Sequence, residues 1–500
     1  MINLKLGKLI ETIEKFVVKS NIPPELIDKD IEHISNNSNN LKENTLFICR
    51  KGSKFDSHTI AERLYNEGMV IAFVTEEEIN TKLPYVQVYD SRLAEAYLAA
   101  EFYSHPYQHL ITFGVTGTNG KTTCAHLFHH IMQQFGLNGS LSGTVLNDIL
   151  GDKFYVHNTT PDAITIMDNM SKTHKNGGSY YSMEVSSHSL DQGRVETIRF
   201  DIAGLTNITR DHLDYHPTFE HYVNSKLHLF DLLKKDGIAV INEEYVQLLN
   251  GKKVPNLVTF GVNENAQYKI SDITTGWNGT NFILRTPYGT KKVYTQMIGE
   301  YNAFNVTLVL AGLVEIGYEI DEVISYISSF RGVDGRFEPI PEARRLGIEV
   351  VIDFAHSPDA LEKVISSARK LAKGRVIVVY GAGGQSDKGK RPMMAEVVTR
   401  IADIAILTTD DPRGENPEEI INEVEKGVRP NSLSLTVLDR KEAIDTAITL
   451  ANRGDVVLIT GRGHEPYQIF SDTLKIPFKD RDVALDIILS KINKNHYSRD

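Results

Sequence analysis

A lysine and a threonine behind two glycines can hold a polyphosphate. Residues 115–123, Val-Thr-Gly-Thr-Asn-Gly-Lys-Thr-Thr, offer that combination. Gly117 and Gly120 let the backbone turn its N–H groups toward an anion. The helix that follows adds the partial positive charge of its N-terminus. Lys121 can reach β- and γ-phosphates, and Thr122 can offer its hydroxyl to Mg2+. The usual phosphate-loop formula asks for glycine where Val115 stands. The plain alternative is a glycine-rich turn with an exposed lysine. The flanks decide against it. Leu110–Thr116 reads as a buried strand, and Cys124–Gly136 has the apolar period of a helix.

Other chemistry-bearing residues also follow strand-like runs. Glu184, in Met-Glu-Val-Ser-Ser-His, stands where a strand end would point it toward the phosphate loop. A solvated surface glutamate is the bland reading of that position. Residues 207–216, Asn-Ile-Thr-Arg-Asp-His-Leu-Asp-Tyr-His, are dense in acids and histidines, as a magnesium or zinc site would be. They also suit a helix start capped by Thr209 or Asp211. Lys226, on composition alone, is an ordinary helix-surface lysine. Five polar loops follow apolar strands in the last third: 353–359, 381–384, 387–391, 410–413 and 461–465. Their repetition points to one convergent pocket at the carboxyl edge of a sheet.

The elements that must position these residues form an α/β protein of three domains. The expected boundaries are 1–106, 107–331 and 332–500. The first mixes short apolar runs with helical stretches and ends at the proline-bearing break Tyr103–Gln108. The second carries the phosphate loop in a doubly wound, P-loop-ATPase-like sheet. The third repeats strand–helix alternation in a Rossmann-like pattern. A net charge of −11 argues against non-specific nucleic-acid binding, which needs a basic surface. Cys49 and Cys124 are too few and too far apart for a disulfide framework, so a cytoplasmic protein with reduced thiols is expected. No signal-peptide-like or membrane-spanning apolar run is present.

In order along the chain, these motifs resemble the Mur ligase family, and its diamino-acid-adding branch in particular. The motifs are VTGTNGKTT, NTTPD (158–162), EVSSH, TRDHLDYH, the Lys226 helix, DFAHSPDAL, GAGG with DKGKRP, DDPR and GRGHE. The resemblance covers essentially the whole chain. It implies an ATP- and Mg2+-dependent ligase of peptidoglycan synthesis, expected to be monomeric, that joins a diamino acid to UDP-MurNAc-L-Ala-D-Glu. The acceptor carboxylate is activated as an acyl phosphate. The N-terminal domain holds the UDP, and ATP lies between the other two.

Carried over by position, Gly117, Thr118, Asn119, Gly120, Lys121, Thr122, Thr123, Asn305, Arg336, Asp353 and His356 resemble ATP contacts. Lys121, Glu184, His212 and Lys226 resemble the catalytic set. Thr122, Glu184, His212 and a carbamylated Lys226 resemble the magnesium ligands. Asn158, Thr159, Thr160, Ser186, Gln192 and Arg194 resemble contacts to the UDP-muramyl-dipeptide. Ser38 lies where the UDP would meet the first domain, although its Asn-Asn-Ser-Asn-Asn setting departs from the usual Asp-Ser-Arg. Ser386, Asp410, Asp411, Pro412, Arg413, Gly461 and Glu465 resemble the amino-acid pocket.

That pocket departs from the pattern. Relatives that add diaminopimelate commonly read Asp-Asn-Pro-Arg, where this chain reads Asp-Asp-Pro-Arg. Arg413 suits the distal carboxylate of meso-diaminopimelate. Asp411 argues the other way, because an extra anion would occupy that guanidinium and attract an ammonium. Ser386 replaces a common arginine. The altered charge tips the expectation slightly toward lysine. Rival readings are another Mur ligase, a folylpolyglutamate-synthetase-like ligase, a nucleotide-binding sensor of cell-wall precursors, and a phosphate-loop ATPase coupled to motion.

Overall fold

The computed structural model describes residues 4–52, 55–155, 158–209, 211–212 and 215–497. Arg210 and Asp214 of the acid- and histidine-rich run lie outside the described residues. The chain divides into two compact units, each with its own interior. One comprises residues 1–274, 280–295 and 300–330; the other comprises 275–279, 296–299 and 331–500.

The first unit carries two large sheets and a short antiparallel pair, Leu4–Lys5 with Asp30–Ile31. Val17–Ser20 (β1), His33–Ser35 (β2), Thr45–Ile48 (β3), Val70–Thr75 (β4) and Tyr85–Val88 (β5) pair in the order β1-β5-β4-β3-β2. Helix α1 (Ser91–Phe102) follows, its N-terminus capped by Asp90, which accepts from the N–H groups of Arg92 and Leu93 at 3.0 and 2.9 Å.

The second sheet holds Ile111–Thr116 (β6), Gly139–Ser142 (β7), Tyr180–Glu184 (β8), Phe200–Leu205 (β9), Leu233–Asn242 (β10) and Leu257–Gly261 (β11) as parallel neighbours in the order β7-β8-β6-β9-β10-β11. Central parallel strands are covered on both faces, which is why β6 reads as an apolar run with Phe113 and Val115 fully buried. The chain enters the sheet at β6, and later strands are added on either side of it. The loop after β6 therefore opens at a topological switch point, where α/β sheets bind ligands. Val86 and Tyr181, one from each sheet, share a hydrophobic cluster with Leu98 of α1.

The second unit is built on Glu349–Asp353 (β12), Val376–Tyr380 (β13), Ile404–Leu407 (β14), Ser434–Thr436 (β15) and Val456–Thr460 (β16), parallel in the order β12-β16-β13-β14-β15. Successive side chains of a strand point to opposite faces. Val376 and Val378 accordingly pack with Leu361 and Met394 on one side, while Ile377 and Val379 pack with Ile444 and Ile488 on the other. Helices thus cover both faces, as the doubly wound pattern predicts. A hairpin, Tyr467–Ile469 (β17) with Lys475–Pro477 (β18), follows the last parallel strand.

Candidate active site

The phosphate loop is shaped by two glycines and fastened from the neighbouring strand end. Gly117 has φ 143° and Gly120 φ 90°. A Cβ at Gly117 would stand 1.9 Å from Thr206 Oγ1, and one at Gly120 would stand 2.4 Å from Asn305 Oδ1. Both positions therefore exclude a side chain. The Thr118 N–H donates to Asn207 O at 2.8 Å, and the Asn119 N–H to Asn207 Oδ1 at 3.0 Å. Asn207 Nδ2 returns a bond to Asn119 O at 2.9 Å. Helix α2 (Lys121–Gln134) then starts directly behind Gly120, so its positive end faces the loop. Lys121 Nζ folds back on Gly117 O and Thr118 O at 2.9 and 3.0 Å.

Two residues from other elements converge on this loop. Glu184 ends β8, in register beside Val115 of β6, and is almost fully buried. Its carboxylate accepts from Thr122 Oγ1 at 2.9 Å, from the Thr144 N–H at 2.7 Å and from Thr144 Oγ1 at 3.1 Å. The surface-glutamate alternative is excluded by this burial. A carboxylate and a hydroxyl held side by side are the hard oxygen donors that Mg2+ requires, so these residues fit that ion.

Lys226, on helix α3 (Phe219–Leu227), is only 1% exposed and donates to Gly117 O at 2.8 Å. The helix-surface reading of this lysine is thereby corrected. Burial, and next the charge of Lys121, push its amine well below the ordinary lysine range.

The described residues of the run after β9 do not begin a helix. Helix α3 begins only at Phe219, capped by Thr218, whose Oγ1 accepts from the His221 N–H at 3.1 Å. The expectation of a cap at Thr209 or Asp211 is corrected. Thr209 instead donates its N–H to Thr118 Oγ1 at 2.9 Å, tying this run to the phosphate loop. His212 takes φ 53° and packs its ring against His188 and Tyr222. Tyr222 Oη also meets Thr118 Oγ1 at 2.8 Å.

The residues expected around the muramyl dipeptide form one network. Thr160 Oγ1 donates to Glu184 O at 2.9 Å and accepts from the Ser186 N–H at 3.0 Å. Arg194 Nη1 reaches Thr160 O at 2.8 Å, and its Nε reaches Gln192 Oε1 at 3.0 Å. Thr159 Oγ1 meets Thr144 Oγ1 at 3.1 Å. Asn158 is exposed, and Ser38 sits half-buried in the turn after β2. Sequence reasoning missed Thr144 and Tyr222. Neither lies in a glycine-rich or acid-rich string that would have singled it out.

In the second unit the strand-end loops meet one another. Asp353 accepts from the N–H groups of Phe337 and Ala355, both at 2.8 Å, and so anchors the segment carrying Arg336. The Arg336 guanidinium lies 4.9 Å from the Phe354 ring centre. His356 is exposed, with Nδ1 2.8 Å from Phe354 O. The Gly384 N–H donates to Asp411 O at 2.8 Å, joining two of the expected pocket loops. Ser386 Oγ is spent on Gly383 O at 2.8 Å. Gly461 approaches Asp410 so closely that a Cβ would stand 2.3 Å from Oδ2, a buried oxygen with no hydrogen-bond partner among the described residues. Burial and the anions Asp411 and Asp410 push the Glu465 carboxyl up to about 7.

The expected pairing of Asp411 with Arg413 is present, with Arg413 Nη2 3.6 Å from Asp411 Oδ2, but Arg413 is not the anion's tighter partner. Asp411 is fully buried and its Oδ1 is bound by Arg462 Nη1, a guanidinium that is itself fully buried. The Ile469 N–H adds a bond to the same oxygen at 3.0 Å. Arg413 stands 3.6 Å from Oδ2 and keeps a 44% exposed side chain. The charge argument for lysine treated Asp411 as an uncompensated anion, and Arg462 removes that premise. Arg462 lay inside a motif already noted, yet nothing local to its sequence revealed its partner 51 residues away.

Residues 115–313 match the Mur ligase middle domain, and residues 335–463 match the Mur ligase glutamate ligase domain. A UDP-N-acetylmuramoyl-L-alanyl-D-glutamate–2,6-diaminopimelate ligase of Bacillus cereus is 38% identical over 98% of this chain and 99% of its own length. The ligase of the same name from Listeria monocytogenes is 37% identical over 98% of this chain and 99% of its own. A solved structure of a ligase bearing that name superposes with a TM-score of 0.69 at 27% identity, over 98% of this chain and 99% of that one. MurF ligase from Thermotoga maritima, solved with ADP, shares the fold with a TM-score of 0.60 at 20% identity, over 94% of this chain and 98% of that one.

Proposed function

The chain belongs to the Mur ligase family, and we propose that it joins meso-2,6-diaminopimelate to UDP-MurNAc-L-Ala-D-Glu with conversion of ATP to ADP and phosphate. One observation carries the reading: Lys121, Thr122, Glu184 and Lys226 converge on a single loop at a sheet switch point. The three domains are assigned as 1–106, 107–331 and 332–500, and the nucleotide substrates put the reaction in the cytoplasm.

A carboxylate is a poor electrophile until an oxygen becomes a good leaving group. The muramyl dipeptide's terminal carboxylate attacks the γ-phosphorus, ADP leaves, and an acyl phosphate forms. The diamino acid's amine then attacks the carbonyl carbon, and phosphate departs from the tetrahedral intermediate with the amide made. Two anions must approach in the first step, so the site has to supply positive charge. Lys121 and the positive end of α2 supply it, together with the backbone N–H groups of the loop. When bound, Mg2+ neutralises further phosphate charge; Thr122, Glu184, His212 and carbamylated Lys226 would hold it.

Gly117, Thr118, Asn119, Gly120 and Thr123 line the phosphates, with Asn305 on the adenine side and Arg336, Asp353 and His356 contributed by the third domain. Asn158, Thr159, Thr160, Ser186, Gln192, Arg194 and Ser38 orient the UDP-muramyl-dipeptide. In the acceptor pocket, Asp410 and Glu465 take ammonium groups and Arg413 takes the distal carboxylate in bidentate fashion. Ser386, Asp411, Pro412 and Gly461 shape that pocket.

The experiment is phosphate release with each substrate omitted in turn, with the product identified by mass. Release that requires ATP, the muramyl dipeptide and diaminopimelate together supports the reading. Release without either acceptor sinks it in favour of a plain ATPase.

A further inference from the structure

The Asp411–Arg462 pair asks for an explanation that the reaction itself does not give. Both side chains are fully buried, and both come from loops at the carboxyl edge of the second unit's sheet. Arg462 Nη2 also donates to Tyr467 O, so the β17 hairpin holds the guanidinium in place. The same hairpin fixes the loop that carries Arg413: the Arg413 N–H donates to Ile469 O at 3.0 Å and the Gly414 N–H to Phe470 O at 2.7 Å. Arg413 takes φ 50°, a left-handed conformation in which a non-glycine residue persists only when its surroundings enforce it. One anion, Asp411, therefore lies between two guanidinium groups, one sealed and one open to solvent.

We propose that Arg462 is a specificity-determining positioning residue: by holding Asp411 it keeps Arg413 available for the distal carboxylate of the incoming amino acid. Without Arg462, the cation left within ion-pair distance of Asp411 among the described residues is Arg413, because Arg440 is committed to Asp480. Arg413, held at present in a loose 3.6 Å contact with Asp411 Oδ2, would then close onto that carboxylate, and the pocket would lose its carboxylate receptor. An acceptor without a distal carboxylate, such as L-lysine, would lose nothing by the change. A two-residue device thus sets the choice between diamino acids without touching either reacting atom. This inference rests on the acceptor pocket assigned above.

The test measures kcat and KM for meso-diaminopimelate and L-lysine in the full-length protein and two variants. In Arg462→Met, the diaminopimelate KM is expected to rise at least about tenfold, and the lysine-to-diaminopimelate ratio of kcat/KM by a similar factor. The ATP KM is expected to stay within about threefold, since transition-state and nucleotide contacts are untouched. Adding Asp411→Asn to Arg462→Met removes the anion that captures Arg413 and is expected to recover most of the lost diaminopimelate KM. Arg462→Gln takes the place of the methionine variant if that one does not fold, because it removes the charge while keeping a donor for Tyr467 O. An unchanged acceptor ratio in the neutral variants overturns the inference. So does an equal loss for both amino acids that Asp411→Asn fails to repair, because that is the mark of a purely structural pair. A wild-type enzyme that prefers lysine overturns the acceptor assignment itself, before any variant is read.

Discussion

Lys226 gives the sharpest test of the assigned chemistry. It and Lys121 donate to the same carbonyl, Gly117 O, at 2.8 and 2.9 Å, so their nitrogens lie no more than about 5.7 Å apart, the sum of those lengths. With both charged, that separation costs at least about 3 kcal/mol at an effective dielectric constant of about 20. Burial opposes the charge further. The neutral amine is the form that attacks carbon dioxide; it forms a carbamate and releases a proton. The resulting anion is attracted to Lys121 by an energy comparable to the repulsion it replaces. Lys226→Ala is expected to lower kcat about 10²–10³-fold, the range seen when one preorganised electrostatic group is removed. Formate or acetate, entering the space left behind, is expected to restore part of that loss. Lys226→Met fills the space and should show no rescue, while its thermal midpoint holds or rises because a buried amine has been replaced by an apolar side chain. The assay is phosphate release at saturating substrates, in buffer stripped of carbon dioxide and again with bicarbonate added. Intact mass reports the modification itself. Near-normal turnover in Lys226→Ala, or wild-type activity indifferent to carbon dioxide, refutes the reasoning.

Three further outcomes are expected. Lys121→Ala should abolish turnover with the circular dichroism spectrum and melting midpoint little changed; retained activity would remove Lys121 from the phosphate site. Gly120→Ala forces a Cβ to within 2.4 Å of Asn305 Oδ1 at φ 90°, so it should lose about 1–3 kcal/mol of stability in denaturant titration and raise the ATP KM. Glu465 titrates near 7 in the folded protein, above the ordinary carboxyl value of 4.5, so over that window the fold keeps a proton that the unfolded chain releases. Its contribution to stability therefore falls as pH rises from about 4.5 to 7, while its ability to hold an ammonium grows. The acceptor KM should accordingly drop between pH 6 and pH 8 in the wild type, and Glu465→Gln should flatten that dependence.

The sheets were legible because their physics is local. Val376–Tyr380 has no polar residue before its last position, as a strand covered on both faces requires, and the structure packs alternate members of it into two separate cores. The phosphate loop was legible for a similar reason: Gly117 and Gly120 are where the backbone takes conformations that side chains do not tolerate. The run at 207–216 misled in the opposite sense. Thr209 and Asp211 are good cap residues, but the Thr209 N–H is committed to Thr118 Oγ1, 91 positions earlier, and the helix starts at Phe219 instead. Local propensity was overridden by a long-range bond that no pattern within the run could signal.

Charges were the least legible feature, because the meaning of a charge depends on what neutralises it. Lys226 looked like a solvated lysine and is buried against the phosphate loop. Asp411, read beside its neighbour Arg413, looked like a partner for that arginine and an attractor of ammonium. In the fold its first oxygen belongs to Arg462, brought across from the loop after β16, and the arginine two residues on keeps a loose 3.6 Å contact with its second oxygen and a guanidinium open to solvent. A buried pair of this kind is weak evidence for stability, since hydrophobic replacements of such pairs are often neutral or better. Its place in a pocket that must tell a distal carboxylate from an ammonium fits a role in selectivity better. The substitution that seemed to argue for lysine is therefore one half of a pair, and with the other half in place the pocket presents Arg413 to a carboxylate.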